Sequence, residues 1–428
     1  MRLRTPRLAA IGAVVACTSL ILTGCGGASE ESGGGTVRVV VANHPWTDAV
    51  LSGIDEFEEE TGLTVEVTSY TEDQLSQQLN VRLNASADDI DVMMMRPLQE
   101  VRTFHENGWL TDLTEWATTD ETWDWSDFQE GPQASVTVDD QVLAVPLSTE
   151  REVLYYRKDL LDEAGLEVPQ TLEELEEAAR MIQERNEGVY GFVSRGARAA
   201  AVTQFSSFLY SYGADWETDD GTSGIGTPEA RAAYTFYGDM LRNYGPPGVT
   251  NMSWPEAMAI FTQGRAAFYT EADSLYTNAT DPESSTVTET VGFAQFPAGP
   301  AGSRPTNVPA WALAVPSTSN NQEAAWEFVR WATNQENTLK AQEGGVIGSR
   351  ASAWEAQVDG TFPEDLAEAQ RASAEVGVGY SHPVVLNVSR ARDIVGEPIV
   401  TAIEGGDVEA ALDAADQAFS EFLADERE

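Results

Sequence analysis

Cysteine is nearly missing from this chain, with two residues, Cys17 and Cys25, in 428. Nothing beyond Cys25 can close a disulfide or supply a thiolate nucleophile, so the rest must be held by its core alone. Histidine is almost as scarce. His44, His105 and His382 are scattered, and none forms a HExxH helix or a clustered metal site. Gly-x-Ser-x-Gly elbows and Gly-rich phosphate loops are absent, so the inventory offers no cofactor, no metal and no catalytic constellation. The acids at Asp219-Asp220-Gly221 fall short of a calcium loop, because the glycine comes one place late. Paired carboxylates say nothing about glycosidase chemistry in a chain with 70 acidic residues.

Lysine is also rare. Only Lys158 and Lys340 stand among 25 basic residues, and the formal net charge is -45. Such a field repels nucleic acid and anionic membrane surfaces and disfavours polyanionic ligands at long range. A neutral small ligand suits this surface better than a phosphorylated one. Long apolar runs are missing too: past the first 24 residues none approaches membrane-spanning length.

Those first residues do carry a pattern. Arg2, Arg4 and Arg7 precede an apolar stretch from Leu8 to Leu22, and Leu22-Thr23-Gly24-Cys25 follows. That order is an export signal, too short to remain as a spanning helix. Small residues followed by cysteine resemble the lipobox of bacterial lipoproteins. The resemblance implies cleavage before Cys25, lipidation of its thiol, and anchorage on the outer face of the cytoplasmic membrane. Residues 25–35 read as a flexible tether. Removing 24 of 428 residues leaves 404, too many for one hydrophobic core and comfortable for two.

Strand and helix then alternate. Thr36 to Val41 reads as a buried strand, and one helix carries Val50, Ile54 and Phe57 up to a Gly62 cap. Val65 and Val67 mark a second strand, Leu75, Leu79 and Leu83 a second helix, and Ile90 to Met95 a third strand before a helix opened by Pro97. Val142 to Pro146 and Val153 to Tyr156 read as two separate strands, and Thr171 to Glu174 is a capping box. Helices follow near 228–243, 254–263, 322–340, 391–404 and 407–425, with strands near 291–296 and 310–315. The expected class is α/β, two units with mostly parallel sheets.

Several segments resemble the extracellular solute-binding proteins of ABC importers, in the maltose-binding-like branch. They are Asp55 to Gly62, Asp91 to Met95, Asn107 to Leu113, Val145 to Leu160 with Glu150, Gly264 to Phe268, and Trp311 to Pro316 with Ala324 to Phe328. Each is weak alone, and their order and spacing are strong. The resemblance implies two α/β lobes around a ligand cleft, with the N-lobe at 36–139 and 293–343 and the C-lobe at 140–292 and 344–428. It implies a monomer that binds a neutral sugar, oligosaccharide or polyol, performs no chemistry on it, and docks on the permease's transmembrane subunits. A secreted glycoside-acting enzyme and a lipid-anchored sensor or adhesin are the alternatives.

A sugar needs carboxylates, amides or arginines for its hydroxyls and aromatic rings for its C–H faces. Loops at the carboxyl ends of strands are where an open α/β sheet places them. Trp46, beside His44, is a cleft ring or a staple for the next helix; Arg96 is a hydroxyl donor or half of an ion pair. Glu150 matches the place where the family carries a sugar-binding acid, the alternative being a salt bridge to Arg151 or Arg157. By the same resemblance Trp216 is a ring platform, Glu271 and Asp273 accept hydroxyls, and Trp311 stacks on the sugar without supporting the core. Arg350 and His382 complete the candidate set. Tyr155 or Tyr156, Trp109, Trp116, Trp326 and Trp331 read as core.

Overall fold

A computed structural model of the chain describes residues 35–356 and 362–427; the export signal and Cys25 lie outside the described residues. Ten strands run in chain order: β1 (Thr36–Ala42), β2 (Thr64–Tyr70), β3 (Val92–Met95), β4 (Thr137–Val138), β5 (Gln141–Val142), β6 (Val145–Arg157), β7 (Tyr190–Val193), β8 (Ala266–Ala272), β9 (Val291–Gln295) and β10 (Asn307–Ala314). β4 and β5 form a small hairpin. The other eight make one sheet in the order β2-β1-β3-β10-β6-β8-β7, with β9 also paired to β6. β1 pairs in parallel with β2 and β3, and β7 with β8, while β10 and β6 run antiparallel to their neighbours.

β6 corrects the sequence reading. Two strands were expected on either side of Glu150, but one 13-residue strand runs through it. Its first half pairs with β10 and its second half with β8 and β9. The polar run Ser148-Thr149-Glu150-Arg151 looks like a loop in sequence. Here it is a strand because partners on both sides take its backbone groups.

The apolar residues divide between the two ends of this strand. Val37, Val39, Phe57, Leu79, Met93, Leu313 and Phe328 belong to one buried cluster that reaches Leu147 on β6. Beyond Arg151 the strand is covered on both faces, and its period of two sorts the side chains. Leu154 and Tyr156 pack with Phe192, Phe205 and Phe268, whereas Val153 and Tyr155 pack with Phe261, Tyr269 and Phe293. Tyr155 and Tyr156 are thus both core, on opposite faces.

Two expected helices are broken. The first splits into Pro45–Leu51 and Ile54–Thr61 on either side of Gly53, which packs so closely on Trp331 that a Cβ there would lie 3.2 Å from its ring. The segment near 322–340 splits into Gln322–Ala332 and Gln335–Glu343, where Asn334 accepts from the Asn337 N–H and caps the second helix. The helix Arg198–Ser211 was not anticipated. Its residues Ala201, Val202 and Gln204 to Ser211 are buried around its circumference, so no amphipathic stripe announces it.

Helices Pro228–Tyr244 and Val388–Glu404 cross at Gly238, where a Cβ would lie 2.2 Å from the Ala402 Cβ and 2.9 Å from its carbonyl carbon. Gly238→Ala must push the two backbones apart. The expected loss is about 1–3 kcal/mol, read as a lower urea midpoint at unchanged slope. A midpoint equal to wild type would mean that this crossing has slack.

Candidate ligand-binding site

The carboxyl end of β3, the middle of β6 and the bulged part of β10 meet the other end of the sheet around a cavity of ≈ 240 Å³. Arg96, Leu98 and Gln99 line it after β3, and Val308 to Trp311 line it from β10. Facing them are Arg195, Thr203, Trp254, Leu275, Ser381, His382 and Arg392, with Glu150 between. Four residues singled out from the sequence therefore come together: Arg96, Glu150, Trp311 and His382.

The register explains how they arrive. β10 slips twice against β6, between Pro309 and Trp311 and again at Ala312. A bulge re-aims side chains, and Trp311 reaches the cavity while 95% of its surface is covered. His44 lies 5.9 Å from it, ring to ring, and caps the next helix by accepting the Trp46 N–H at Nδ1. Trp311 also belongs to the buried cluster of its lobe, so it is both wall and core, contrary to the expectation of a residue free of the core.

Glu150 and Arg151 point to opposite faces of β6, as a strand requires, which rules out a salt bridge between them. Glu150 accepts from the Ser274 hydroxyl at 2.8 Å. Burial pushes its carboxyl up to about 7, with Asp273 and Glu271 adding to the shift and the Ser274 hydrogen bond and Arg195 opposing it. Arg151 is fully buried on the other face. Its N–H donates to Asp273 Oδ1 at 2.8 Å, and its guanidinium lies 4.3 Å over Trp354.

Glu271 also lies off the cavity wall. β7 and β8 are parallel with Val193 opposite Tyr269, so two residues on, Arg195 comes opposite Glu271. Arg195 donates from Nε at 2.9 Å and Nη2 at 2.5 Å, Gln204 at 2.6 Å, and the Tyr269 hydroxyl at 2.8 Å. With its oxygens occupied, Glu271 has little left for a ligand. It holds Arg195 toward the cavity instead.

Arg350 is likewise engaged. It donates to the carbonyls of Thr333, Trp123 and Asp124 and to Asp127, and lies 4.1 Å over Phe128. Trp46 is in the core beside β1, and Trp216 is 1% exposed against Phe205. Asp273 is buried against Arg151. None of these lines the cavity. His382 does: burial, with the nearby Arg392 charge, pushes its imidazole down to about 3. The neutral ring has Nδ1 at 3.0 Å from the Pro383 carbonyl, which as a donor there leaves Nε2 an acceptor.

Sequence reasoning passed over Arg195, Thr203, Trp254, Gln99 and Arg392. The available signal was weak: arginine at Ser194-Arg195-Gly196, directly after a strand, in a chain where most surface charge is negative.

Two outcomes follow from these contacts. Glu271→Gln keeps the shape but strips the counter-ion from a buried guanidinium, and should cost about 3 kcal/mol in chemical denaturation; a loss below about 0.5 kcal/mol would show the pair to be solvent-screened. A ligand that donates hydroxyls to Glu150 selects its ionised form. Affinity should therefore weaken as pH falls through about 7, toward tenfold per unit, in calorimetry between about pH 5 and 8. Glu150→Gln should bind more weakly and lose that slope; a flat wild-type profile would remove Glu150 from ligand contact.

Comparison with known proteins gives the family and the fold. Residues 43–339 match the family model of bacterial extracellular solute-binding proteins. The erythritol/L-threitol-binding protein of Mycolicibacterium smegmatis is 29% identical over 382 residues, 80% of each chain. The mannitol-binding protein of Pseudomonas aeruginosa is 31% identical over 228 residues, 51% of this chain and 52% of that one. An ABC transporter solute-binding protein from Agrobacterium radiobacter, solved in complex with ribitol, superposes with a TM-score of 0.78 at 26% identity, covering 91% of this chain and 99% of that one. All three are named as binding proteins. With its two-lobed α/β fold and a family match across most of its length, the chain belongs to the bacterial extracellular solute-binding proteins.

Proposed function

We propose that this protein captures a small polyol or monosaccharide and hands it, chemically unchanged, to the membrane subunits of an ABC importer. The observation that carries the reading is the cavity whose walls come from both ends of the sheet, with guanidinium donors, one carboxylate and two tryptophans. Its ≈ 240 Å³ falls below the roughly 300–1,000 Å³ of drug-sized sites, which favours a ligand of one sugar unit over an oligosaccharide. Relatives named for erythritol, threitol and mannitol support the same size class.

Arg96, Gln99 and Trp311 would hold the ligand from the N-lobe, and Glu150, Arg195, Thr203, Trp254, His382 and Arg392 from the crossing strand and C-lobe. Contacts from both sides coexist only when the lobes are closed, so binding shifts the population toward closure. The family resemblance sets the lobes in this reading at 36–139 with 293–343 and at 140–292 with 344–428. In this reading Cys25 carries the lipid anchor on the outer face of the cytoplasmic membrane, and the protein acts as a monomer.

Calorimetry against four- to six-carbon polyols, monosaccharides and maltooligosaccharides tests the proposal, together with recovery of unchanged ligand after long incubation. Heat only with longer oligosaccharides, or turnover of an aryl glycoside, would overturn it. Trp311→Ala should weaken binding roughly tenfold to a hundredfold, from about 1–3 kcal/mol of lost aromatic contact. It should also lower the melting temperature, given its core position. Trp109→Ala removes a ring packed against Phe104 at 5.5 Å. It should lower the melting temperature while the folded fraction keeps its affinity.

A further inference from the structure

The charge lining the cavity has the opposite sign to the chain. Three of its lining residues are arginines and, among the described residues, Glu150 is its one carboxylate, against a net charge of -45 overall. The three guanidiniums are not equally compensated. Arg195 is spent on Glu271 through two hydrogen bonds. Arg96 donates from Nη2 to Ser76 Oγ at 2.8 Å and stands 3.9 Å from Glu100, while its Nε is buried with no acceptor. Arg392 has neutral partners only: the Ala199 carbonyl at 2.9 Å and the Thr203 hydroxyl at 2.6 Å. Its pKa is lowered to about 10 by burial and by the charges of Arg195 and Arg96.

Arg96 and Arg392 come from opposite lobes, one at the end of β3 and the other on the helix Val388–Glu404. With Gln99 they also form the wall shared with a second cavity of ≈ 480 Å³ between the same elements. A guanidinium without a counter-ion, facing another with an unused buried N–H, is short of one planar acceptor. A carboxylate supplies it, since the guanidinium fork matches both oxygens.

We infer that the ligand of this cavity is a small sugar acid, an aldonate or uronate, whose carboxylate sits between Arg96 and Arg392 and whose hydroxyls face Glu150 and Trp311. This rests on the reading of the cavity as the ligand site and sharpens its substrate class. One charge is the right number: a phosphate brings nearly two, and only Arg392 lacks a carboxylate. Size does not discriminate against the acid, because replacing a terminal hydroxymethyl by a carboxylate adds a single oxygen. The acidic exterior is no obstacle at contact, because surface charges fade over a Debye length of about 8 Å at physiological ionic strength.

The test compares matched pairs by calorimetry on the purified protein: erythronate against erythritol, ribonate against ribitol, mannonate against mannitol. The acid should bind at least tenfold more tightly than its polyol in one pair or more. In Arg392→Gln that ratio should fall toward one, and Arg392→Lys should keep part of it; melting curves verify that both variants fold. Polyols that bind as tightly as or more tightly than the acids in every pair would overturn the sugar-acid assignment and leave polyol capture standing. An acid preference untouched by Arg392→Gln would overturn the role of Arg392. No heat from either class would sink the polyol reading and this inference with it.

Discussion

The antiparallel pairing of β6 with β10 is the constraint on which the rest of this protein depends. β6 leaves one core at Leu147 and enters the next at Val153, and between them it carries Ser148 to Glu152 through the junction as extended strand. Extended backbone fixes which side chains face which way. Glu150 faces the cavity, Arg151 is sent to a buried pocket on the reverse face, and Glu152 returns to bond the Ser207 hydroxyl. The slips in β10 opposite this stretch deliver Trp311. Cavity and junction are therefore one piece of backbone, so a ligand held in this cavity would contact the strand that joins the two cores.

That junction is costly to bury. Arg151, Glu152, Glu271 and Asp273 are all fully covered, and each charge needs a partner or must be neutralised. Glu271 is satisfied by Arg195, Gln204 and Tyr269. Glu152 accepts from the Ser207 hydroxyl, and burial drives its pKa well above the usual carboxylate range. A nonpolar junction would be more stable, but it would not aim Arg195 at the cavity. Polar groups at this density make sense where orientation matters more than stability.

How much of this was legible follows from what each kind of signal encodes. A β-branched run gave β1 as a buried strand, and period-two and period-3.6 patterns gave β2, the helix Leu172–Arg185 with its capping box, and the long C-terminal helices, because half-buried elements write their exposure into the sequence. The helix Arg198–Ser211 is buried on all sides and wrote no such stripe. The polar stretch of β6 read as a loop because its backbone partners are far away in sequence. Among the residues that line the cavity, Arg96, Glu150 and Trp311 stand at strand ends or in resembling segments, whereas His382 was singled out without such a signal. Glu271 and Arg350 were read as ligand contacts and lie off the cavity, because their partners, Arg195 and the Trp123–Asp127 turn, were not visible in the sequence. Residue type alone cannot tell a carboxylate that meets the ligand from one that holds the arginine that does. Arg392, on a helix with no motif, was invisible until the lobes were set side by side.

Placing those arginines across the cleft has a conformational consequence. Two unit charges roughly 4–8 Å apart repel by about 2–4 kcal/mol at an effective dielectric of 20. Of the charges that lower the Arg392 pKa beside burial, Arg195 belongs to its own lobe and Arg96 stands across the cleft. In the proposed reading an empty cavity would work against closure, whereas a ligand rich in acceptor oxygens would reverse the sign of the same term. Selectivity and closure then share one origin: a molecule lacking acceptors at the right places neither binds well nor brings the lobes together. Such coupling requires differential affinity between open and closed states. In the proposed reading it would rest on opposing guanidiniums from the end of β3 and from the helix Val388–Glu404, rather than on any contact within a single lobe.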